Sequence, residues 1–361
     1  MKRIRVGIIG TGSISHEHLD AYRKQSDAEI FAICDQQKAR AEQVASQYSV
    51  PHVFDNYEEM LELEDLNAVS ICTWNYTHAD IAIAALQAGK HVLIEKPIAI
   101  RVEEAERIQE AAREAGTVVQ VGVVRRFDPN TQMMKQFTDG GMFGEFYYAK
   151  TSFLRRAGNP GGWFADKQKS GGGPLIDIGI HVIDLCWYLM GKPKPISISA
   201  NTYYELGNRS NIQHVSFYKA ADYDPNQNNV EDLANAIIRF ENGASLMVDV
   251  SYTLHASKDE TTVKLYGTKG GLEIEPELKM MTEKHNTMLN VFPQTDSPTL
   301  DVKQAFTREI DHFIQCCQTG ETPISSLDDG VEMMRILNGI YESAGKRQEI
   351  TFQNRKRESI V

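Results

Sequence analysis

The chain has 361 residues, and its 49 acidic and 38 basic side chains give a net charge of −11. This acidic balance argues against nucleic acid as the main partner, because phosphate binding requires a basic face. No apolar run approaches the roughly 20 residues of a membrane span, and the length favours two domains over one core. The five cysteines show no CxxC or paired spacing. They are therefore predicted to be core thiols of a cytoplasmic protein rather than disulfides or metal ligands.

The first part of the chain alternates between β-branched runs and amphipathic stretches. Strands are predicted at 4–9, 28–34, 68–73, 91–94 and 118–124, with helices at 37–48, 78–88 and 102–115 between them. Repeated strand–helix units are typical of a doubly wound parallel sheet. We therefore predict an α/β dinucleotide-binding domain over residues 1–125.

A glycine-rich loop follows the first predicted strand and opens a helix. It reads Gly10-x-Gly12-x-x-Ser15, with a small serine in place of the third glycine of the dinucleotide-binding pattern. Gly10 permits the tight turn and Gly12 lets the backbone approach a diphosphate held at the helix N-terminus. Asp35 ends the second strand, where a carboxylate binds ribose hydroxyls and repels a 2′-phosphate, so NAD is favoured over NADP. The predicted cofactor contacts in the loop are Gly10, Thr11, Gly12, Ser13 and Ile14.

Two later strands of this domain also end in polar residues. Ligands of open α/β sheets bind at the carboxyl ends of the strands. Lys96, in Glu95-Lys96-Pro97, could reach a substrate hydroxyl from there, and the alternative is a solvated lysine in a loop. The further predicted cofactor contacts are Thr73, Trp74, Asn75, His78, Glu95, Lys96 and Arg126.

After residue 125 the pattern changes to longer, contiguous strands, at 145–154, 196–205, 231–240, 244–253 and 261–267. Asn242-Gly243 between two of them predicts a hairpin. We expect a second α/β domain, residues 126–361, whose large and mostly antiparallel sheet leaves one face open as an oligomer interface. Residues 207–229 are predicted to be an exposed excursion, 303–318 and 328–343 packing helices, and 354 onward a surface tail.

A buried helix is predicted from Pro174, after three glycines, to about Met190. It is apolar on nearly every side, yet Asp177, His181 and Asp184 share one narrow stripe at i, i+4 and i+7. Buried ionisable groups need partners or shifted pKa values. The stripe therefore indicates either general acid–base chemistry at His181 or a structural histidine satisfied by a neighbouring acid.

The glycine loop with Asp35, the Glu95-Lys96-Pro97 motif and the segment 171–184 together resemble the Gfo/Idh/MocA oxidoreductase family, over nearly the whole chain. The resemblance implies a Rossmann domain, a C-terminal α/β domain, and NAD(P)-dependent oxidation or reduction of sugars, cyclitols or related polyols. It also implies a catalytic set of Lys96, Asp177 and His181, and a homodimer or homotetramer joined through the open sheet. Ser15, and Trp74 where relatives often have proline, depart from the pattern.

On this basis His181 is expected to accept the hydroxyl proton, Lys96 to stabilise the developing alkoxide, and Asp177 to orient His181. Residues 155–164 are similar to those of members that act on pyranoses or anhydrosugars. The expected substrate contacts are Lys96, Arg126, Arg156, Trp163, Asp166, Lys167, Asp177 and His181, with no metal. The alternatives are a glycoside hydrolase of the family that retains its NAD and, less favoured, a non-catalytic NAD-binding regulator.

Overall fold

A sheet of six parallel strands forms the first half of the molecule, in the order β3-β2-β1-β4-β5-β6. The computed structural model describes residues 3–207, 209, 211–222 and 224–352, so the predicted tail lies outside the described residues. The strands are β1 (Ile4–Ile9), β2 (Ala28–Cys34), β3 (His52–Phe54), β4 (Ala68–Ile71), β5 (His91–Glu95) and β6 (Val119–Gly122). The helices between them are α1 (Ser13–Tyr22), α2 (Lys38–Tyr48), α3 (Tyr57–Leu61), α4 (His78–Gln87) and α5 (Val102–Ala115). The predicted doubly wound sheet is confirmed, with β3 and α3 added.

The second sheet has nine strands in the order β14-β13-β12-β11-β7-β10-β9-β8-β15. They are β7 (Phe146–Leu154), β8 (Pro195–Tyr203), β9 (Leu233–Phe240), β10 (Ser245–Ser251), β11 (Glu260–Gly267), β12 (Gly270–Glu275), β13 (Lys279–Lys284), β14 (Thr287–Val291) and β15 (Ile350–Thr351). β10 runs parallel to β7 and the other pairings are antiparallel. Asn242-Gly243 forms the predicted hairpin between β9 and β10, with φ of 85° at Gly243.

The two faces of this sheet differ in burial because side chains alternate along each strand. Ala149, Leu246 and Ile238, which pair across β7, β10 and β9, are fully buried. One residue along, Met247 and Ile237 lie on the opposite face and keep contact with solvent. The expected half-covered sheet is thus present.

Five helices belong to this half of the sequence, among the described residues. They are α6 (Pro129–Asp139), α7 (Lys167–Ser170), α8 (Ile180–Leu189), α9 (Val302–Thr319) and α10 (Leu327–Lys346). α8 and α10 cover the apolar face of the sheet, whereas α9 packs against α1 and β1 of the first half. None of the helices in the described part of the chain is long and apolar enough to cross a membrane.

Two irregular segments position the site between the sheets. A π-helical turn, Leu175–Gly179, precedes α8, so the predicted single helix is divided into two segments. The described part of the predicted excursion, 207–229, is mostly exposed and has a single 3-10 turn. Its Tyr218 hydroxyl lies 3.4 Å from the hydroxyl of Ser13, in the glycine-rich loop.

Candidate active site

The glycine-rich loop connects β1 to α1 and has the shape that a diphosphate requires. Gly10 has φ of +90°, and a Cβ there would come within 2.7 Å of the carbonyl oxygen of Cys72. A Cβ at Gly12 would meet no protein atom within 4 Å, so the space beside this backbone is free for a ligand. Ser15 is buried, and its hydroxyl donates to the carbonyl of Gly12 at 2.7 Å. The residues present therefore fit a dinucleotide.

Asp35 follows β2 at the predicted ribose position. Its carboxylate accepts hydrogen bonds from the amide and hydroxyl of Thr11, at 2.9 and 2.7 Å, and from the amide of Gln37 at 2.8 Å. Arg40 forms an ion pair with it at 2.8 Å. Burial alone would raise the pKa of Asp35, but these hydrogen bonds outweigh it and hold the pKa below its ordinary value. A fixed negative charge thus lies where a ribose would bind.

Lys96, directly after β5, meets Asp177 of the π-turn. Its ammonium donates to the backbone carbonyl of Asp177 at 2.9 Å and to the side-chain Oδ1 at 3.1 Å. The hydroxyl of Tyr252, just after β10, donates to Oδ2 at 2.8 Å. Burial and the neighbouring Asp177 raise the pKa of Tyr252 well above its ordinary value, so this hydroxyl keeps its proton. The two domains thus meet in a lysine–aspartate–tyrosine chain.

His181 is the second residue of α8, one turn beyond Asp177. Its Nδ1 is buried and has no hydrogen-bond partner among the described residues. Burial, followed by the positive charges of Lys96, Arg125 and Arg155, holds the pKa of His181 well below its ordinary value. The ring is therefore neutral and able to accept a proton at physiological pH.

The geometry does not support the hypothesis that Asp177 orients His181. No hydrogen bond joins the two side chains in the part of the chain that the structure describes, because both carboxylate oxygens of Asp177 are taken by Lys96 and Tyr252. Asp177 instead holds Lys96.

Arg126 is a correction to the predicted cofactor and substrate contacts. Its side chain is fully buried and forms a two-point ion pair with Asp184 at 2.9 and 2.7 Å. It also donates to Asp329 of α10 at 2.5 Å and to the carbonyl of Ile324 at 2.9 Å. This guanidinium is a structural link between helices, and Asp184 is its buried partner.

Two predicted cofactor contacts near β4 and β5 also point into the protein. His78 is 1% exposed, and its ring nitrogens lie 2.7 Å from the carbonyl oxygen of Pro97 and 3.0 Å from that of Thr73. Glu95 is 6% exposed and its carboxylate faces α1 rather than the cleft. Both residues support the loop that carries Lys96, because their polar atoms are occupied within the protein.

Three other predicted contacts remain at the boundary between the domains. The side-chain amide of Asn75 donates to the carbonyl of Ser170 at 2.7 Å. Trp74, which is 41% exposed, stacks on Trp163 of the second domain with ring centroids 6.5 Å apart. The cleft therefore has an aromatic edge.

The remaining expected substrate contacts are paired with other side chains of the protein. Arg156 forms an ion pair with Asp259 at 3.0 Å, and Asp166 forms one with Lys169 at 2.9 Å. The ammonium of Lys167 lies over the ring of Tyr341, 5.7 Å from its centroid. In the described part of the chain, no hydrogen bond or ion pair joins these three residues to Lys96 or Asp177.

Sequence reasoning missed three residues that the fold places at the site, namely Tyr252, Arg125 and Arg155. Arg125 pairs with Glu275 at 2.7 Å and contributes to the positive field at His181. No local pattern could have identified Tyr252 or Arg125, because their partners, Asp177 and Glu275, are distant in the sequence.

A parallel strand order of 3-2-1-4-5-6, a diphosphate-shaped loop and a fixed acid after β2 define a nicotinamide-dinucleotide-binding oxidoreductase fold. Residues 4–123 match the model of the oxidoreductase family with an NAD-binding Rossmann fold, and residues 135–352 match its C-terminal alpha/beta domain. The chain belongs to the Gfo/Idh/MocA family. It is an NAD-binding enzyme, and the family resemblance read from the sequence is confirmed.

Similar proteins of known activity include sugar and inositol dehydrogenases. The chain is 30% identical to D-glucoside 3-dehydrogenase of Escherichia coli (strain K12), over 96% of this chain and 97% of that protein. It is 29% identical to scyllo-inositol 2-dehydrogenase (NAD(+)) of Bacillus subtilis (strain 168), over 89% and 88%. A solved levoglucosan dehydrogenase in complex with NADH and L-sorbose shares the fold, with a TM-score of 0.83, 24% identity, and coverage of 97% of this chain and 99% of that one.

Proposed function

We propose that the chain is an NAD-dependent dehydrogenase that oxidises a secondary hydroxyl of a sugar, anhydrosugar or cyclitol. The observation that carries the proposal is the Lys96–Asp177 pair next to a neutral His181. A fixed cation and an unprotonated base are the groups that removal of an alcohol proton requires. The similarity to dehydrogenases named for glucosides and inositols supports a polyhydroxylated ring as substrate.

In this proposal the substrate oxygen binds between Lys96 and His181. His181 accepts the hydroxyl proton, and the ammonium of Lys96 stabilises the negative charge that develops on the oxygen. The oxygen loses this proton and the carbon that bears it loses a hydride, which leaves a ketone. Bound NAD supplies the hydride acceptor, C4 of its nicotinamide ring. In the reverse direction His181 returns the proton to the oxygen.

Asp177 acts by holding Lys96 in place. Its carboxylate is fixed on one side by the Tyr252 hydroxyl and accepts from the ammonium on the other. A charge that is already oriented needs little reorganisation when the alkoxide forms. A cation held in this way contributes several kcal/mol, on the scale of one oxyanion-hole donor.

The testing experiment follows NADH absorbance with NAD and a panel of glucosides, hexoses, inositols and anhydrosugars, with NADP in parallel. We expect turnover with NAD, and we expect Lys96→Ala to lower kcat by at least about 10²-fold with NAD affinity unchanged within a few-fold. Lys346→Ala is the matched control, because Lys346 forms a carboxylate pair on the exposed surface of α10.

Retained turnover in Lys96→Ala would remove this lysine from the catalytic set. If the panel is silent although NAD binds, assays of glycoside cleavage distinguish the NAD-retaining hydrolase from a non-catalytic regulator. Only the hydrolase would release sugar without accumulating NADH.

We also propose that two or four chains associate through the open face of the nine-stranded sheet. The face pairs Tyr148 with Tyr266, whose ring centroids are 5.5 Å apart, and continues through Met247 and Ile237. A row of aromatic and aliphatic side chains on an uncovered sheet favours burial against a second copy.

A further inference from the structure

A cluster of buried ionisable side chains lies directly behind Lys96 and has no part in the chemistry above. It consists of His18 on α1, Glu95 at the end of β5 and Glu309 on α9. His18 and Glu309 are fully buried and Glu95 is 6% exposed. Burial of such groups is costly unless they are paired or neutral, so the arrangement calls for a physical reason.

The carboxylate of Glu95 links α1 to the backbone of Lys96. Its Oε1 lies 2.9 Å from Nε2 of His18, and its Oε2 accepts a hydrogen bond from the Lys96 amide at 3.1 Å. The carboxylate is also confined by packing, because a Cβ at Gly122 would lie 3.1 Å from it. Glu95 therefore has one orientation, and that orientation fixes the amide of Lys96.

His18 contacts this carboxylate, Cys72 and the ring of Phe306, whose centroid lies 5.6 Å from that of His18. Burial would lower the pKa of His18, but Cys72 and Glu95 outweigh it and hold the pKa well above its ordinary value. Since an ionised carboxylate only accepts hydrogen bonds, Nε2 of His18 is the donor. The second ring nitrogen, Nδ1, is buried and has no partner in the described ranges. The ring is thus oriented by its hydrogen bond to Glu95 and packs against Phe306.

Glu309 is the member of the cluster that is neutral and takes no part in holding Lys96. Both of its carboxyl oxygens are buried, and neither has a partner among the residues that the structure describes. Burial, with an added contribution from nearby Glu95, raises the pKa of Glu309 well above its ordinary value. Glu309 therefore keeps its proton, whereas the hydrogen bonds to His18 and to the Lys96 amide are both made by the carboxylate of Glu95.

The loop is also held on the other side of Lys96. Nδ1 of His78 lies 2.7 Å from the carbonyl oxygen of Pro97, and Nε2 of the same ring lies 3.0 Å from that of Thr73. The peptide that carries Lys96 is therefore fixed at both ends by groups from α1 and α4. The long side chain itself meets only Asp177 among the described residues.

We propose that His18 and Glu95 are positioning residues for Lys96, which hold its backbone so that the ammonium reaches both Asp177 and the substrate oxygen. This inference rests on the proposed role of Lys96. A displacement of about 1 Å in a reacting group can cost about 10²-fold in rate, so removal of either residue should lower kcat far more than it changes KM.

The test compares Glu95→Ala and His18→Leu with the conservative variant Glu95→Gln. We expect the first two to lower kcat by about 10- to 100-fold, with KM and the Kd for NAD within a few-fold of the original chain. Glu95→Gln should recover most of kcat, because its amide oxygen can still accept from the Lys96 amide while its NH2 group donates to Nε2 of His18 in the ring's other neutral tautomer. Glu309→Gln is the matched control for a buried carboxyl that is already neutral, and it should behave like the unmodified chain.

A second measurement reports on Lys96 without turnover. Reductive methylation of the protein without substrate, followed by mass spectrometry of the Lys96 peptide, measures how accessible this amine is. We expect labelling to be at least several-fold faster in Glu95→Ala and His18→Leu than in Glu95→Gln. A role in stability alone would lower the unfolding temperature without changing this rate.

Unchanged kcat and unchanged labelling in folded Glu95→Ala and His18→Leu would overturn the inference. A loss in Glu309→Gln as large as in Glu95→Ala would overturn the assignment of Glu309 as a neutral group without a positioning role. If Lys96→Ala retains turnover, the proposed function fails at its catalytic residue, whereas the labelling rates still test whether Glu95 and His18 position this amine.

Discussion

At the scale of single residues, the electrostatic surroundings of His181 determine how the site should respond to pH. Burial and the charges of Lys96, Arg125 and Arg155 disfavour the imidazolium form. A folded-state pKa well below the ordinary value of about 6.5 leaves the base unprotonated through the neutral range. We therefore expect kcat/KM to fall on the acid side only at a pH well below that ordinary pKa. This fall is the acid limb of the pH profile.

Arg155→Gln tests this field directly. Removal of a positive charge stabilises imidazolium, so the pKa of His181 rises and the acid limb of kcat/KM moves to higher pH. Arg156→Gln is the matched control, because its guanidinium pairs with Asp259 and does not contribute to the shift at His181. It can change KM but should leave the limb in place. A limb that moves equally in both variants, or in neither, would contradict the assignment.

The adjacent arginines 125 and 126 show what the sequence could and could not predict about individual residues. The motifs predicted Lys96, Asp177 and the glycine loop, because each is defined by its position at a strand end or a helix start. Which of two neighbouring arginines faces the site depends on partners far away in the chain. Arg126 is drawn into the core by Asp184 and Asp329, the latter 203 residues away. The sequence alone therefore did not indicate that Arg126 is a buried structural residue.

At the scale of elements, strong periodicity was sufficient to predict the bounds of helices and strands, whereas irregular segments could not be predicted. β1, β2 and α5 have the predicted bounds, since β-branched runs and an amphipathic stretch ending at a glycine specify them locally. α6 and β12–β14 were not predicted. The π-turn at 175–179 inserts a residue into the expected helix, so Asp177 turns to Lys96 and Asp184 to Arg126. A single polar stripe at i, i+4 and i+7 could not indicate this division.

The open face of the nine-stranded sheet allows a test of association. Ile237, in β9, is 36% exposed on that face. Ile237→Glu would place a charge where the proposed interface buries apolar surface, so the complex should dissociate to smaller species. The molar mass is measured by light scattering after size-exclusion chromatography.

Phe137→Glu is the control for that measurement, because Phe137 is 38% exposed but lies on α6, away from the sheet face. It should keep the oligomeric state of the unmodified chain. An unmodified chain that is already monomeric at micromolar concentration, or an Ile237→Glu variant of unchanged mass, would contradict the proposal.

At the scale of the whole molecule, α9 connects the two halves of the sequence. It follows the nine-stranded sheet in the chain, yet Phe313 and Ile310 are fully buried together with Val6, Ile8 and Leu19 of the first half. The apolar core of the first domain therefore includes residues from both sides of the proposed boundary at residues 125 and 126. A helix from the second half of the chain thus completes the apolar core of the first domain, which sequence order could not indicate.

Phe313→Ala should consequently destabilise both halves together. Loss of a fully buried phenylalanine costs about 3–5 kcal/mol in the free energy of unfolding, whereas Asp311→Ala, at an exposed position of the same helix, should change it by less than about 0.5 kcal/mol. Hydrogen exchange with mass spectrometry distinguishes the halves. In Phe313→Ala we expect peptides of β1 and α1 to lose protection together with those of α9. When the weakened α9 detaches, it exposes the apolar surface that it shares with β1 and α1. Loss of protection confined to α9 would show that the first domain is stable without it.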